Sequence, residues 1–320
     1  MKLDLRDRKI LYELDVNARQ SDAQIGRKLK ISKEVVAYRI NRLIKERIVR
    51  NFTAIINTHA FGYQGFRIFF KFKDISKERE KEFIDFVKSK FIWIVRVRGN
   101  WSYNSLIYTN NMIKLEKFLN QIKEKFEDNF LKMQISPVTQ IYHYRREFLL
   151  DNKKIRTSYE ILEKIKEFQL DEKDFKILEA IANNGRATTV ELAEEINLTE
   201  RIVRYRLKNL VKNKIILGFR SHLDLEKLGY RYYKIHLFLN KHSKQTIEKL
   251  TNFTHTHPNT IYLTKTIGGW DFELEVCFKG SKELYNFLDK LTNKFSGIIR
   301  DYEFLEYDKE FQIKYFQVLD

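Results

Sequence analysis

The chain has 320 residues, of which 43% are hydrophobic, enough for two or more packed domains and against wholesale disorder. With 60 Lys and Arg against 43 Asp and Glu it carries a formal net charge of +17, which favours a polyanionic partner through phosphate neutralisation and counterion release. No apolar run approaches the roughly 20 residues of a membrane-spanning helix, Met1-Lys2-Leu3-Asp4 lacks the core of a signal peptide, and the single cysteine, Cys277, excludes a disulfide framework and suits a reducing cytoplasm.

A first helix is expected from about Asp7 to Leu14, with Ile10, Leu11 and Leu14 on one face. A turn with Asn17 and Arg19 follows, then a short helix carrying Ile25 and Leu29. The next stretch, Ile31 to Ile44, opens on Ser32, an N-cap whose hydroxyl accepts from the first free backbone N–H groups. Its apolar stripe is Val36, Ile40 and Leu43, and its opposite face carries Glu34, Tyr38, Asn41 and Lys45. This series is a helix-turn-helix with an outward third helix. Ile48 to Ile56 is β-branched and apolar and reads as a wing.

Beyond the wing the period changes to two. Phe66, Ile68, Phe70 and Phe72 alternate with Arg67, Phe69, Lys71 and Lys73, which predicts a strand. A helix with Phe83, Phe86 and Val87 follows, then strands at Ile92–Val97 and Ser105–Tyr108 joined through Gly99-Asn100-Trp101. A second helix has Leu115, Phe118, Leu119 and Ile122 on one stripe, and a last strand runs near Leu131 to Tyr144. The order βαββαβ is ferredoxin-like. Leu149 to Gln169 is a connector, and the spacing of Ile161, Leu162 and Ile165 predicts a helix over Thr157–Phe168, a semi-rigid joint.

The whole series then repeats. Leu3-Asp4-Leu5-Arg6-Asp7 aligns with Leu170-Asp171-Glu172-Lys173-Asp174, and Asn17 and Arg19 align with Asn184 and Arg186. The second outward helix opens on Thr199, buries Val203, Leu207 and Leu210, and shows Arg201, Tyr205, Lys208 and Lys212. The expected fold class is α+β, two tandem units, each a winged helix-turn-helix followed by a ferredoxin-like domain. The expected boundaries are 1–56 and 64–148 for the first unit, 149–169 for the connector, and 170–223 and 231–320 for the second unit. A helix with one buried stripe and a polar, aromatic, basic outer face suits reading of double-stranded DNA.

The candidate DNA-binding residues are Ser32, Lys33, Glu34, Tyr38, Arg39, Asn41 and Arg42 in the first copy. In the second they are Thr199, Glu200, Arg201, Arg204, Tyr205, Arg206 and Lys208. Arg39 and Arg206 flank the buried stripe and are expected to hold a phosphate or an internal carboxylate. Arg201 and Arg204 have the geometry for guanine. Because the two outer faces differ, an asymmetric operator is expected. Residues 1–52 hold 14 Lys and Arg against 7 Asp and Glu, and residues 170–219 hold 9 against 8. Neutralising Lys33, Arg39 and Arg42 is therefore expected to flatten the salt dependence more than neutralising Arg201, Arg204 and Lys208.

Leu170-Asp171-x-x-Asp174-x-x-Ile177-Leu178, Asn184-Gly185-Arg186, Leu198-Thr199-x-x-x-Val203-x-x-Arg206-Leu207-x-x-Leu210 and Asp224-x-x-x-Leu228-Gly229 resemble the Lrp/AsnC, or feast/famine, regulators. The first copy matches in the same order. The resemblance implies a tandem-duplicated transcriptional regulator whose ferredoxin-like parts are RAM domains for effector binding and assembly. It implies pairing of those domains, as an intrachain pseudo-dimer or a homo-oligomer. The family's effector loop often reads Gly-Asp-x-Asp; here the copies read Gly99-Asn100-Trp101-Ser102 and Gly268-Gly269-Trp270-Asp271. Only Asp271 keeps a carboxylate for an amino group, so Gly268, Gly269 and Asp271 are the candidate effector residues. Trp101 and Trp270 are expected to pack.

Two other readings share these features. Siroheme decarboxylases use the same scaffold, and His59, His143 and His222 are available for such chemistry. An architectural DNA coater with little sequence preference also fits the charge. No catalytic residues, cofactor or metal site are expected; His255-Thr256-His257 lacks a third nearby ligand and reads as a loop before Pro258.

Overall fold

The structure is a computed structural model and describes residues 3–150, 158–161 and 168–319. Three helices open the chain: α1 (Leu5–Val16), α2 (Asp22–Leu29) and α3 (Lys33–Lys45). Each begins where a side chain satisfies the free N–H groups of the first turn. Asp4 and Asp7 form a reciprocal capping box on α1, Ser21 and Gln24 do the same on α2, and Ser32 accepts from the Val35 N–H on α3. Strand β1 (Val49–Ile56) follows.

The first ferredoxin-like unit is β2 (Gln64–Phe72), α4 (Lys77–Val87), β3 (Trp93–Arg98), β4 (Tyr103–Thr109), α5 (Met112–Lys125) and β5 (Phe130–Tyr144). A short strand, β6 (Ser158–Ile161), precedes the second set of helices, α6 (Glu172–Asn183), α7 (Thr189–Glu195) and α8 (Glu200–Lys212). These repeat the caps, with a box of Asp171 and Asp174, a box of Thr188 and Glu191, and Thr199 alone. The chain then runs through β7 (Ile216–Leu223), β8 (Arg231–Leu239), α9 (Lys244–Thr256), β9 (Thr260–Thr266), β10 (Phe272–Phe278), α10 (Ser281–Lys294) and β11 (Ile299–Ile313).

The two ferredoxin-like sheets join into one closed ring, β2-β4-β3-β11-β8-β10-β9-β5 and back to β2, with β6 added beside β5. The long strands make this closure. The first part of β5 pairs with β2, and its later part, Val138–His143, pairs with β9 of the other unit. Likewise β11 pairs with β8 through Glu306 and then with β3 through Ile313. Pro137, which has no N–H to give, lies where β5 changes partner, and its carbonyl accepts from the Ile267 N–H at 3.0 Å. Pairing of the two units therefore takes place inside one chain.

Two departures from the sequence reading follow from this closure. The helix expected over Thr157–Phe168 is replaced at Ser158–Ile161 by β6, which pairs with Ile141–Tyr144; residues 151–157 and 162–167 lie outside the described residues. Beyond Val138, β5 has left β2, and its bare edge is satisfied by β6. Ile161 is buried there among Ile55, Val138 and Ile141. The two wings also do not project separately: β1 and β7 pair antiparallel with each other, from Val49–Leu223 to Ile56–Ile216.

Both faces of the ring are covered. Phe66, Ile68, Phe70 and Phe72 pack under α4 and α5, while Tyr233, Ile235, Leu237 and Leu239 pack under α9 and α10. The alternate residues point between the sheets, where a solvated face would have been expected for Arg67. Arg67 is held at 3.2 Å by Glu275 and at 3.4 Å by Glu273, and Lys234 is ion-paired to the same two carboxylates. Burial opposes ionisation of Glu273 and Glu275, but Lys234 and Arg67 outweigh it and hold both carboxyls below their ordinary range. Trp93, Trp101, Trp270, Phe69 and Leu305 fill the rest of this interior.

Candidate nucleic-acid interface

The outward helices α3 and α8 stand on matching foundations. Val36, Ile40 and Leu43 are buried under α3, and Val203, Leu207 and Leu210 under α8. Opposite them, Tyr38 and Tyr205 are each 68% exposed. The Ser32 and Thr199 hydroxyls accept from the N–H groups of Val35 and Ile202, so they act first as helix caps. Lys33, Glu34 and Asn41 on α3, and Arg201, Arg204 and Lys208 on α8, are exposed. The Glu34 carboxyl is held below its ordinary range by the backbone N–H groups of the helix start and by Ser32.

The arginines flanking the stripes are turned inward. Arg39 donates to Asp4 at 2.8 Å and to Asp7 at 2.7 Å, and Arg42 donates to Asp7 at 2.6 Å. Arg206 donates to Asp171 at 2.7 Å and Asp174 at 2.9 Å. These carboxylates are also the capping boxes of α1 and α6, so each arginine ties its outward helix to the start of the first helix. Of the two roles expected for Arg39 and Arg206, the internal carboxylate is the one observed. Arg42 shares it, so two of the three residues expected to set the salt dependence are ion-paired within the protein. Glu200 is similarly committed, accepting from Thr189 at 2.5 Å and from Arg204 Nε at 2.7 Å. The Arg204 side chain remains 71% exposed despite that pair.

The two helix-turn-helix units are clasped to one another. Arg19 donates to the carbonyls of Gly185 and Ala187 at 3.0 and 2.8 Å, and Arg186 donates to the Ala18 carbonyl at 3.1 Å and to Asp22 at 3.0 Å. Each guanidinium also lies over a ring of the opposite half, Arg19 over Phe219 at 5.2 Å and Arg186 over Phe52 at 5.3 Å. Gly185 is needed here, because a Cβ would stand 2.9 Å from the Thr53 backbone. The turn motifs Asn17-x-Arg19 and Asn184-Gly185-Arg186 are thus the interface between readers. Sequence reasoning found the motifs but not their meeting, since they lie 167 residues apart.

A further tie joins the first helix to β7 and to the segment after β5. Asp15 is fully buried and accepts from Arg146 at 2.5 Å and from Arg220 Nη2 at 2.6 Å. Burial opposes its charge, but Arg220 and Arg146 prevail and its carboxyl is held low. Arg50, read as part of a wing, donates instead to Asp224 and to Glu310 on β11.

In the candidate effector loop, Gly268 has φ +118 and Asp271 accepts from the Leu239 N–H at 2.7 Å, with His242 3.4 Å away. Part of the Asp271 carboxylate is therefore committed to the end of β8. Trp270 is buried, stacks on His236 at 3.6 Å and donates to Glu273 at 3.1 Å. Trp101 donates to Glu303 at 3.2 Å. Both tryptophans pack between the sheets. His222 faces Asn51 at 3.2 Å, His143 sits edge-on to Tyr262, and His59 is buried in the turn before β2. His255 stacks with Tyr144 and His257 lies against Phe287. Among the described residues no helix is long and apolar enough to cross a membrane.

Two helix-turn-helix readers, clasped on a ring of paired sheets, define a DNA-binding regulator scaffold. A family model described as winged helix-turn-helix DNA-binding matches residues 3–50 and again 170–216. The regulator FL11 of Pyrococcus horikoshii is 32% identical over 120 residues, covering 38% of this chain and 78% of FL11. LrpA of Bacillus subtilis is 33% identical over 129 residues, 38% of this chain and 90% of LrpA. Both are named as HTH-type transcriptional regulators. The chain belongs to the Lrp/AsnC family of DNA-binding transcriptional regulators, in a tandem-duplicated form. The crystal structure of the siroheme decarboxylase NirDL covers 98% of this chain and 94% of its own, with a TM-score of 0.64 and 14% identity, a likeness of fold.

Proposed function

We propose that this protein is a cytoplasmic transcriptional regulator that reads an asymmetric double-stranded DNA site with both helix-turn-helix units of one chain. The observation that carries it is the pair of outward helices, each seated on a buried stripe and each presenting an exposed tyrosine flanked by different polar residues. Lys33, Glu34, Tyr38 and Asn41 face one half-site, and Arg201, Arg204, Tyr205 and Lys208 the other. Arg201 and Lys208 match guanine, Asn41 matches adenine, and Glu34 accepts from cytosine. The chain acts as an intrachain pseudo-dimer, since the sheets that would pair between protomers are already paired. Gly268, Gly269 and the remaining oxygen of Asp271 form the place for an amino-bearing effector.

Selection of bound sequences from a random duplex library, followed by footprinting, tests this reading. One enriched site with two unlike halves is the expected result. No enrichment points to the sequence-indifferent coater, and a perfect inverted repeat overturns the asymmetry.

The whole-chain likeness of fold to a siroheme decarboxylase favours a second reading, an enzyme. Against it, the space between the sheets is occupied by Trp93, Trp101, Trp270, Phe69 and the paired charges of Arg67, Lys234, Glu273 and Glu275. We hold that the protein is not an enzyme. Titration with siroheme, followed by visible absorption, is expected to show no saturable change.

A further inference from the structure

The helix before each reading helix differs in sign between the two readers. In a helix-turn-helix that preceding helix crosses the phosphate backbone while the reading helix enters the groove. At the end of α2 stand Arg27 and Lys28, both exposed, followed by Lys30 in a left-handed turn at φ 56. The same places at the end of α7 hold Glu194 and Glu195, both exposed, followed by Asn197 in the same turn at φ 53. Lys28 reaches Glu13 at 2.6 Å yet leaves half of its side chain in solvent. A phosphate approaching α2 meets cations; one approaching α7 meets carboxylates.

On the groove-facing line the order is reversed. Glu34, Tyr38, Asn41 and Lys45 lie one above the other on α3, one acid balanced by one base. On α8 the line is Arg201, Tyr205, Lys208 and Lys212, three bases and no acid. Glu200 does not offset them, being held by Thr189 and Arg204.

We propose that the two readers divide the work on one duplex. The first grips phosphates through Arg27, Lys28 and Lys30 and supplies most of the salt-dependent affinity. The second is pushed off the backbone by Glu194 and Glu195, and stays only where Arg201 and Lys208 find guanine edges. The chain then sits on its site in one orientation, with a second arm that checks sequence. This inference rests on the DNA-binding reading above.

The test measures affinity of the full chain for its selected site and for a random duplex across a salt series, by fluorescence anisotropy. The triple variant R27Q/K28Q/K30Q is expected to lower the slope of log affinity against log salt by about 2 to 3, at about 0.9 per phosphate. Its ratio of specific to random binding stays within about twofold. The double variant R201Q/K208Q is expected to cut that ratio at least about tenfold. The variant E194Q/E195Q is expected to raise random-duplex affinity about threefold or more, by removing two like charges from the backbone side. All of these side chains are exposed, and circular dichroism checks that each variant keeps its fold. If the triple and double variants change slope and ratio alike, or E194Q/E195Q leaves random binding unchanged, the division of work is wrong. A wild-type chain that binds neither duplex overturns the DNA-binding reading itself.

Discussion

Two kinds of contact hold the halves of this molecule together, and they differ in symmetry. The clasp between readers is reciprocal: Arg19 reaches across to the second turn, and Arg186 reaches back to the first. The ties made by buried charge are one-sided. Asp15 gathers Arg146 and Arg220, whereas the matching positions in the other half hold Ala182 and Thr53 for Asp15 and Arg220. Inside the ring, Arg67 of the first half meets Glu273 and Glu275 of the second. A homodimer must use every interface residue twice. A duplicated chain is free of that requirement, and here it has specialised its buried charges. The same freedom shows outside: Arg39 and Arg206 keep the same internal tie, while the groove-facing residues around them differ.

Four experiments break or sharpen this contrast. The largest effect is expected at the one-sided ties. Asp15→Asn leaves Arg146 and Arg220 buried against a neutral amide and is expected to cost about 3–5 kcal/mol. Lys234→Met, which strands Glu273 and Glu275 beside Arg67 alone, is expected to cost a similar amount, about 3–5 kcal/mol. Urea denaturation measures both, and a loss below about 1 kcal/mol in either would show that the buried network is dispensable.

Next comes base reading. Arg201→Ala is expected to remove about 1–3 kcal/mol of discrimination at one half-site only, and Asn41→Ala a similar amount at the other. Competition with single base-pair substitutions separates the halves; both variants relaxing the same half-site would show that the assignment of arms is wrong.

The mirrored ties should behave alike. Arg39→Gln and Arg206→Gln each lose charge-assisted hydrogen bonds to a capping box, and each is expected to cost about 1–2 kcal/mol without changing which bases are preferred. A shift of base preference in either would return that arginine to the groove.

The smallest effect is a pH dependence. Burial, with Arg146 and Arg50 nearby, pushes the His222 imidazole down to about 3. The unfolded chain takes up that proton near pH 6.5, so stability is complete above this pH and is lost as pH falls toward 3. His222→Gln is expected to flatten the fall between these limits, though not abolish it, because His143 is also pushed well down by burial and by Arg220. Denaturation midpoints at pH 7, 5 and 4 that decline as steeply in the variant as in the wild type would count against a neutral His222.

Much of this architecture was legible beforehand because local chemistry specified it. Ser32 and Thr199 mark the starts of the outward helices, and the stripes Val36, Ile40, Leu43 and Val203, Leu207, Leu210 fix which face is buried. The βαββαβ order followed from the change of period at Phe66 and its repetition at Tyr233. The exposed tyrosines stood where the pattern put them. The internal partners of Arg42 and Glu200 were not legible, because helical spacing tells which way a side chain leaves the helix but not what another helix offers it.

The sequence by itself determined two copies of a helix-turn-helix and a ferredoxin-like unit, for the periodicities and caps are properties of neighbouring residues. Tertiary structure alone decided that β1 pairs with β7, that β5 and β11 cross from one sheet to the other, and that Arg67 and Lys234 are buried. Those outcomes depend on which backbone edges and charges meet between segments far apart in the chain. An edge strand bonds to whatever partner the fold brings within about 5 Å, and no local pattern in the chain records which partner that is.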